Sequence, residues 1–325
     1  MSNEKKDAKT KGLDPRTQET WKRVQLARHP ERPHTLDYIR QIFTEFVELH
    51  GDRTFGDDPA IIGGLARLDQ RTVLVLGHQK GANTKENVAR NFGMANPEGY
   101  RKALRLMRHA EKFGFPVITF IDTPGASPGM QSEERGMAQA IADDLWAMLT
   151  LRVPIVAVVI GEGGSGGALA IGLADRILML ENAIYSVASP ESAAAILWHT
   201  AAQAAQAATA MRIGATDLLE FGIVDRLITE PEGGAQTDVP TVMSQVGAIL
   251  REELETLEGL ISKRKESGLR KLLAARQAKY MRIGVYSEAG TPAPGAKRKG
   301  SHTQNGRENG TPLPDPAAAP ATPSP

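Results

Sequence analysis

Five of the seven residues from Gly161 to Gly167 (Gly-Glu-Gly-Gly-Ser-Gly-Gly) are glycine. The run lies between an apolar stretch that reads as a strand and one that reads as a helix. Such a junction aims backbone N–H groups and the positive end of a helix dipole at whatever sits above it, and absent side chains let that ligand come close. An interior glycine costs roughly 0.5–1 kcal/mol relative to alanine, so five of them favour a site over a tight turn. Three motifs overlap here. Gly161, Gly163 and Gly166 satisfy the spacing of a dinucleotide loop, with Glu181 downstream as a ribose acid, but Glu162 would place an anion beside a pyrophosphate. Gly167-Ala168 stands where a phosphate-binding Walker loop needs Lys-Ser/Thr. Gly163 to Gly167 also fits the G-x-S-x-G elbow of serine hydrolases, with Ser165 as nucleophile. That chemistry needs a base. Only His199 and His302 follow Ser165, and His199 reads as a structural histidine beside Trp198.

Other residues have chemical potential. Asp122-Thr-Pro-Gly-Ala126 ends a strand, and the N–H groups of Gly125 and Ala126 there are candidate donors to the same pocket. His78, Lys80, Thr84 and Lys85 fall in a polar loop after another strand, as candidate contacts for a carboxylate or phosphates. Arg90 and Asn91 follow with no assigned role. Glu133, Glu134 and Arg135 read as a helix start that pairs locally.

The elements that position these residues alternate. Strands are expected at Arg71–Leu76, Pro116–Ile121, Pro154–Ile160 and Arg176–Leu180, with a short one within Gly222–Ile228. Helices are expected at Pro97–Phe113, closed by Gly114, at Glu133–Leu149 and at Ser165–Ala174. Ser189-Pro190 reads as a helix start, and ten alanines among residues 193–210 extend it. Met243–Ser267 and Gly268–Gln277 read as charged helices. Continuous apolar strands between helices predict an α/β domain with strands buried on both faces.

Composition sets the limits. The chain has 325 residues; 39 Lys+Arg against 38 Asp+Glu leave a net charge of +1, so nothing global draws it to nucleic acid or an anionic membrane. There is no cysteine, which excludes disulfides, a catalytic thiol and Cys-ligated zinc in this chain. No apolar run approaches the ~20 residues of a membrane helix, and residues 1–20 lack the pattern of a signal peptide, so a cytoplasmic protein is expected. Residues 1–20 read as a polar arm, 21–286 as the catalytic domain with helical appendages, and 287–325 as a disordered Pro/Ala/Gly-rich tail.

Several stretches, taken in order, resemble the alpha subunits of bacterial acetyl-coenzyme A carboxylase carboxyltransferase. They are Gln25–Pro30 with Arg32-Pro33 and Thr35–Tyr38, Gly77–Gly81, Arg90–Met94, Pro97–Leu106, Ile118–Ala126, Glu133–Gly136, Ile160–Ala170 and Tyr185-Ser186. The resemblance spans residues 21–286. It implies a crotonase/ClpP-like spiral of ββα units with helical appendages. It also implies transfer of carboxyl from carboxybiotin, on a biotin carboxyl carrier protein, to acetyl-CoA, giving malonyl-CoA for fatty acid biosynthesis. A beta subunit of similar fold, in an alpha2beta2 assembly, would carry the acetyl-CoA side of the site and a zinc ribbon; no metal is expected here. A separate biotin carboxylase would consume the ATP.

On this reading Gly166 and Gly167 donate backbone N–H groups to the biotin ureido oxygen. Gly163, Gly164, Ser165, Gly125, Ala126, His78 and Lys80 line the carboxybiotin pocket, and Ser165 is a turn residue. The family usually has an aromatic at Ser127 and often His at Gln236. Two other readings stand beside this one. A single-chain crotonase-like hydratase or thioesterase would use Glu162 or Glu191 as its carboxylate. A non-enzymatic scaffold would only bind the carrier protein.

Overall fold

Asp14 starts the first helix, α1 (Pro15–Ala27): its carboxylate accepts from the Thr17 N–H and hydroxyl, and proline fills the first helical position. Helix α2 (Thr35–Ile42) leads into three antiparallel strands, β1 (Thr44–Glu48), β2 (Ile61–Leu68) and β3 (Arg71–His78). The computed structural model describes residues 12–262 and 265–284. These belong to one compact unit ending at Gly284. The expected tail and the first eleven residues of the polar arm lie outside the described residues.

From β3 onward the sheet is parallel. Helices α3 (Thr84–Ala89) and α4 (Pro97–Phe113) lead to β4 (Val117–Thr123). Helices α5 (Met130–Glu134) and α6 (Met137–Thr150) lead to β5 (Ile155–Gly164). Helix α7 (Ser165–Ala170) follows at once, then β6 (Arg176–Leu180) and β7 (Ile184–Ser186). Helices α8 (Pro190–Trp198), α9 (Ala204–Met211) and α10 (Ala215–Glu220) precede β8 (Arg226–Ile228). Two long helices, α11 (Val239–Ser262) and α12 (Lys265–Met281), close the described chain. The sheet order is β1-β2-β3-β4-β5-β6-β8, with β7 paired to the far end of β5. Every residue of β4 and β5 is buried, as expected for parallel strands covered on both faces.

Strand β5 changes partners along its length. Val156 to Val159 pair with β6, whereas Glu162, Gly163 and Gly164 pair with Ile184, Tyr185 and Ser186 of β7. The register against β4 slips between Ile121 and Thr123, so the strand turns as it leaves the main sheet. This extends the strand expected at Pro154–Ile160 by four residues. Most of the glycine run is therefore strand.

Several expected elements differ. The helix expected at Glu133–Leu149 is two helices, because Gly136 takes φ +81 between them. The helix expected to reach Ala174 stops at Ala170. The alanine-rich segment breaks after Trp198, where His199 adopts a left-handed φ of 56 and Thr200 caps a short 3-10 turn. Only Arg226–Ile228 of the last expected strand pairs. The helix at Pro97–Phe113 and its Gly114 cap, φ +74, stand as expected.

Candidate active site

The corner where β5 becomes α7 is built by close packing. A Cβ on Gly161 would meet the Asp122 carboxylate, on Gly163 the Tyr185 ring, on Gly164 the Pro124 carbonyl, and on Gly167 the Ala126 nitrogen, each within 3.0 Å. No side chain fits those spaces. Four of the five glycines are thus explained by the chain itself. Gly166 is the exception: its Cβ would find only Ile141 Cδ1, at 3.5 Å, an ordinary contact. Its φ is not in the left-handed region. Among the described residues, nothing requires glycine there.

Helix α7 has Gly164 as its N-cap and no side chain that accepts from its first N–H groups. Those donors lack intrahelical partners by geometry. Ser165 is exposed and strained, with φ 52. Ser165 and Gly166 open onto an apolar groove of about 500 Å³, walled by Leu169, Tyr185, Val187, Met211 and Phe221. No histidine or carboxylate lines it. Among the described residues the groove offers Ser165 no base, so the hydrolase elbow lacks its second member there despite the strained serine.

The loop after β4 lies directly against the corner. The Gly125 N–H is taken by the Thr123 hydroxyl at 3.1 Å, while the Ala126 N–H donates to no group among the described residues. Of the two donors expected from this loop, only Ala126 is free.

On the other side of Pro124 and Glu162 lies a polar cleft of about 470 Å³ containing Arg28, His34, Lys80, Asn83 and Phe92. Lys80 Nζ is held by Asp122 at 2.7 Å and Glu162 at 3.0 Å. Arg28 joins Glu162 at 2.6 Å to Glu191, also at 2.6 Å. His34 Nδ1 lies 3.0 Å from the second Asp122 oxygen. Burial alone would raise the Asp122 carboxyl, but Lys80 and then His34 hold it well below the usual carboxylate range. For Lys80, Asp122 and Glu162 outweigh the opposing effect of burial and keep the ammonium charged. Two cations facing three carboxylates leave no surplus positive charge for phosphates. Glu162 and Glu191, the carboxylates a hydratase would need, are both engaged by Arg28.

His78 does not reach either cleft. It is fully buried at the end of β3, against the backbone of Gly167 and Phe120, and burial lowers its pKa to about 4. Lys80, Gly163, Gly164, Ser165, Gly166 and Ala126 do gather around the corner. Sequence reasoning gave no role to Arg28, His34 and Tyr100; a lone arginine or histidine at a helix end, or a tyrosine within a helix, gives no local signal. Among the described residues no cluster of His, Asp and Glu side chains could hold a metal ion, and no helix is long and apolar enough to cross a membrane.

A mainly parallel sheet whose central strand leaves its plane and ends in an uncapped helix corner defines the crotonase-like carboxyltransferase fold. A chain of transcarboxylase 12S shares it with a TM-score of 0.57 and 20% identity over 70% of this chain and 42% of that one. A chain of the Pseudomonas malonate decarboxylase MdcD–MdcE hetero-dimer gives 0.53 and 19% over 69% of this chain and 91% of that one.

Residues 3–284 match the acetyl co-enzyme A carboxylase carboxyltransferase-like family, and the chain belongs to it. A relative from Chlorobaculum parvum is 56% identical over 275 residues, 83% of this chain and 80% of its own length. One from Heliobacterium modesticaldum is 55% identical over 266 residues, 82% of this chain and 77% of its own length. Both are named acetyl-coenzyme A carboxylase carboxyl transferase subunit alpha.

Proposed function

We propose that this chain is the alpha subunit of an acetyl-CoA carboxylase carboxyltransferase, working in the cytoplasm with a beta subunit, a biotin carboxyl carrier protein and a biotin carboxylase. The observation that carries the site assignment is Gly166: a glycine that the chain's own packing does not require, at an uncapped helix start, beside an apolar groove. The groove suits a neutral bicyclic ring, and the free N–H groups suit its single anionic oxygen.

Carboxybiotin, delivered on its carrier, supplies the carboxyl group that ends on the methyl carbon of acetyl-CoA, and the proton that carbon loses passes to the ureido nitrogen the carboxyl leaves. The chain's task is to hold the charge that builds on the ureido oxygen as the N–C bond breaks. The Gly166 and Gly167 N–H groups donate to that oxygen, helped by the dipole of α7, and the free Ala126 N–H approaches from the facing loop. Once a partner covers the open rim, Leu169, Val187 and Met211 would exclude water, which strengthens those bonds. The paired charges of Arg28, Lys80, Glu162 and Asp122 fix the bend of β5 and take no proton. Thioester binding and its own oxyanion donors are left to the beta subunit.

The test is carboxyl exchange between malonyl-CoA and a biotin derivative. Exchange should need both chains. Gly166→Val, whose side chain would stand over the donors, should lower it by at least ~100-fold, the usual cost of losing one oxyanion donor. Gly166→Ala serves as a milder step that the local space accepts. Activity in this chain alone, or an unimpaired Gly166→Val complex, overturns the assignment.

A further inference from the structure

At the glycine corner the Tyr100 hydroxyl has no hydrogen-bond partner among the described residues. The residue is fully buried. Tyr100, on α4, touches the corner itself. Its hydroxyl and the Ala126 nitrogen each lie within 3.0 Å of the single point where a Cβ on Gly167 would stand. The ring packs with Ala60, Met137, Ala140 and Ala170, so its carbon skeleton is accounted for by the core. The hydroxyl is not. A buried, unpaired hydroxyl is a standing penalty that phenylalanine would avoid. Burial pushes the phenol far above its ordinary range, so the group stays a neutral hydroxyl able to donate and accept.

We propose that Tyr100 is a positioning residue for carboxyl transfer: its hydroxyl sets the approach of the Ala126 loop to Gly167, so that the Ala126 and Gly166 N–H groups address one oxygen. The inference rests on the reading above, in which the corner holds a developing anion. A mis-set N–H weakens transition-state stabilisation more than ground-state binding, so the effect falls on turnover.

The experiment uses the assembled complex of this chain with its beta subunit. Tyr100→Phe should leave the melting temperature equal or higher, lower kcat for exchange at least tenfold and keep KM within twofold. Incorporation of 3-fluorotyrosine at position 100 retains the hydroxyl; it should preserve turnover, and its fluorine resonance should move when a biotin derivative is added. An unchanged kcat in Tyr100→Phe, a lower melting temperature with normal kcat, or a fluorine signal indifferent to the ligand each overturns the proposal. Gly166→Val separates the two ideas. If that variant stays active, the site assignment fails and this inference with it. If it is inactive while Tyr100→Phe turns over normally, only the inference fails.

Discussion

Full burial makes His78 a proton-linked liability. Burial lowers its pKa to about 4 from the ordinary 6.5, with Asp122 opposing that shift only in part. Between those values the unfolded chain binds a proton that the folded chain refuses. Stability is therefore complete above pH 6.5, falls as the pH drops toward 4 and levels off below it. From pH 7 to 5 the loss from this residue is about 2 kcal/mol, given 1.36 kcal/mol per pKa unit. His78→Leu is close in volume and carries no titrating group, so urea unfolding should show a correspondingly flatter profile between pH 7 and 5. An identical pH profile for both proteins would show that His78 is not buried as the neutral form. The same residue illustrates the limit of reading chemistry from residue type. His78 and Lys80 are two positions apart at a strand end, and the sequence treats them alike as pocket contacts. His78 is the last residue of β3 and is buried in the core, whereas Lys80 lies beyond the strand end and reaches the cleft; composition shows neither.

At the scale of elements, legibility followed locality. Helix α4 was readable to the residue because its proline start, its apolar spacing and its glycine stop are all local. The glycine run was readable as a site but not as a strand, since Glu162 to Gly164 are extended through pairing with β7, some twenty residues away, and with Thr123 of β4. The alanine-rich segment misled because intrinsic propensity is a weak prior; His199 ends α8 where the chain must turn. The attachment of α12 was invisible for the same reason. Its Arg276 is fully buried, donating to both Asp175 oxygens, at 2.9 and 2.7 Å, and to the carbonyls of Met148, Leu151 and Val153. That single guanidinium ties the last helix to the loop that feeds β5. Arg276→Met leaves Asp175 an unpaired buried carboxylate and frees three carbonyls. The expected cost is about 3–5 kcal/mol, read as a lower urea midpoint, with hydrogen exchange accelerated first in residues 265–284. Arg276→Lys should recover little, because one ammonium cannot replace a planar fork bonded to five acceptors. A midpoint within 1 kcal/mol of the parent, on that ~3–5 kcal/mol scale, would mean that α12 is held by its apolar face instead.

At the scale of the whole molecule, the groove beside Gly166 is open along an apolar wall. Val187 is 80% exposed, and Leu169 and Phe221 are about two-fifths exposed, on the rim of one continuous cavity. Apolar surface gathered into one groove beside a candidate site marks a place where something else docks. One corner with free donors also meets only half of the electrostatic demand of carboxyl transfer, which builds charge on both the donor and the acceptor oxygen. Under the function proposed above, both observations would be met by a beta subunit that covers this rim and brings the second set of donors. Val187→Asp and Leu169→Glu place a charge at positions already facing solvent, so the isolated chain should melt within about a degree of the parent, as surface substitutions do. Facing the partner, each buries an unpaired carboxylate, and association measured by sedimentation or calorimetry should weaken at least tenfold, the ~1.4 kcal/mol that a modest interface contact carries. Gly166→Val should behave in the opposite sense, with assembly intact and exchange lost. Val187→Asp chains that assemble with undiminished affinity would move the docking face elsewhere and leave the groove to the small-molecule ligand alone.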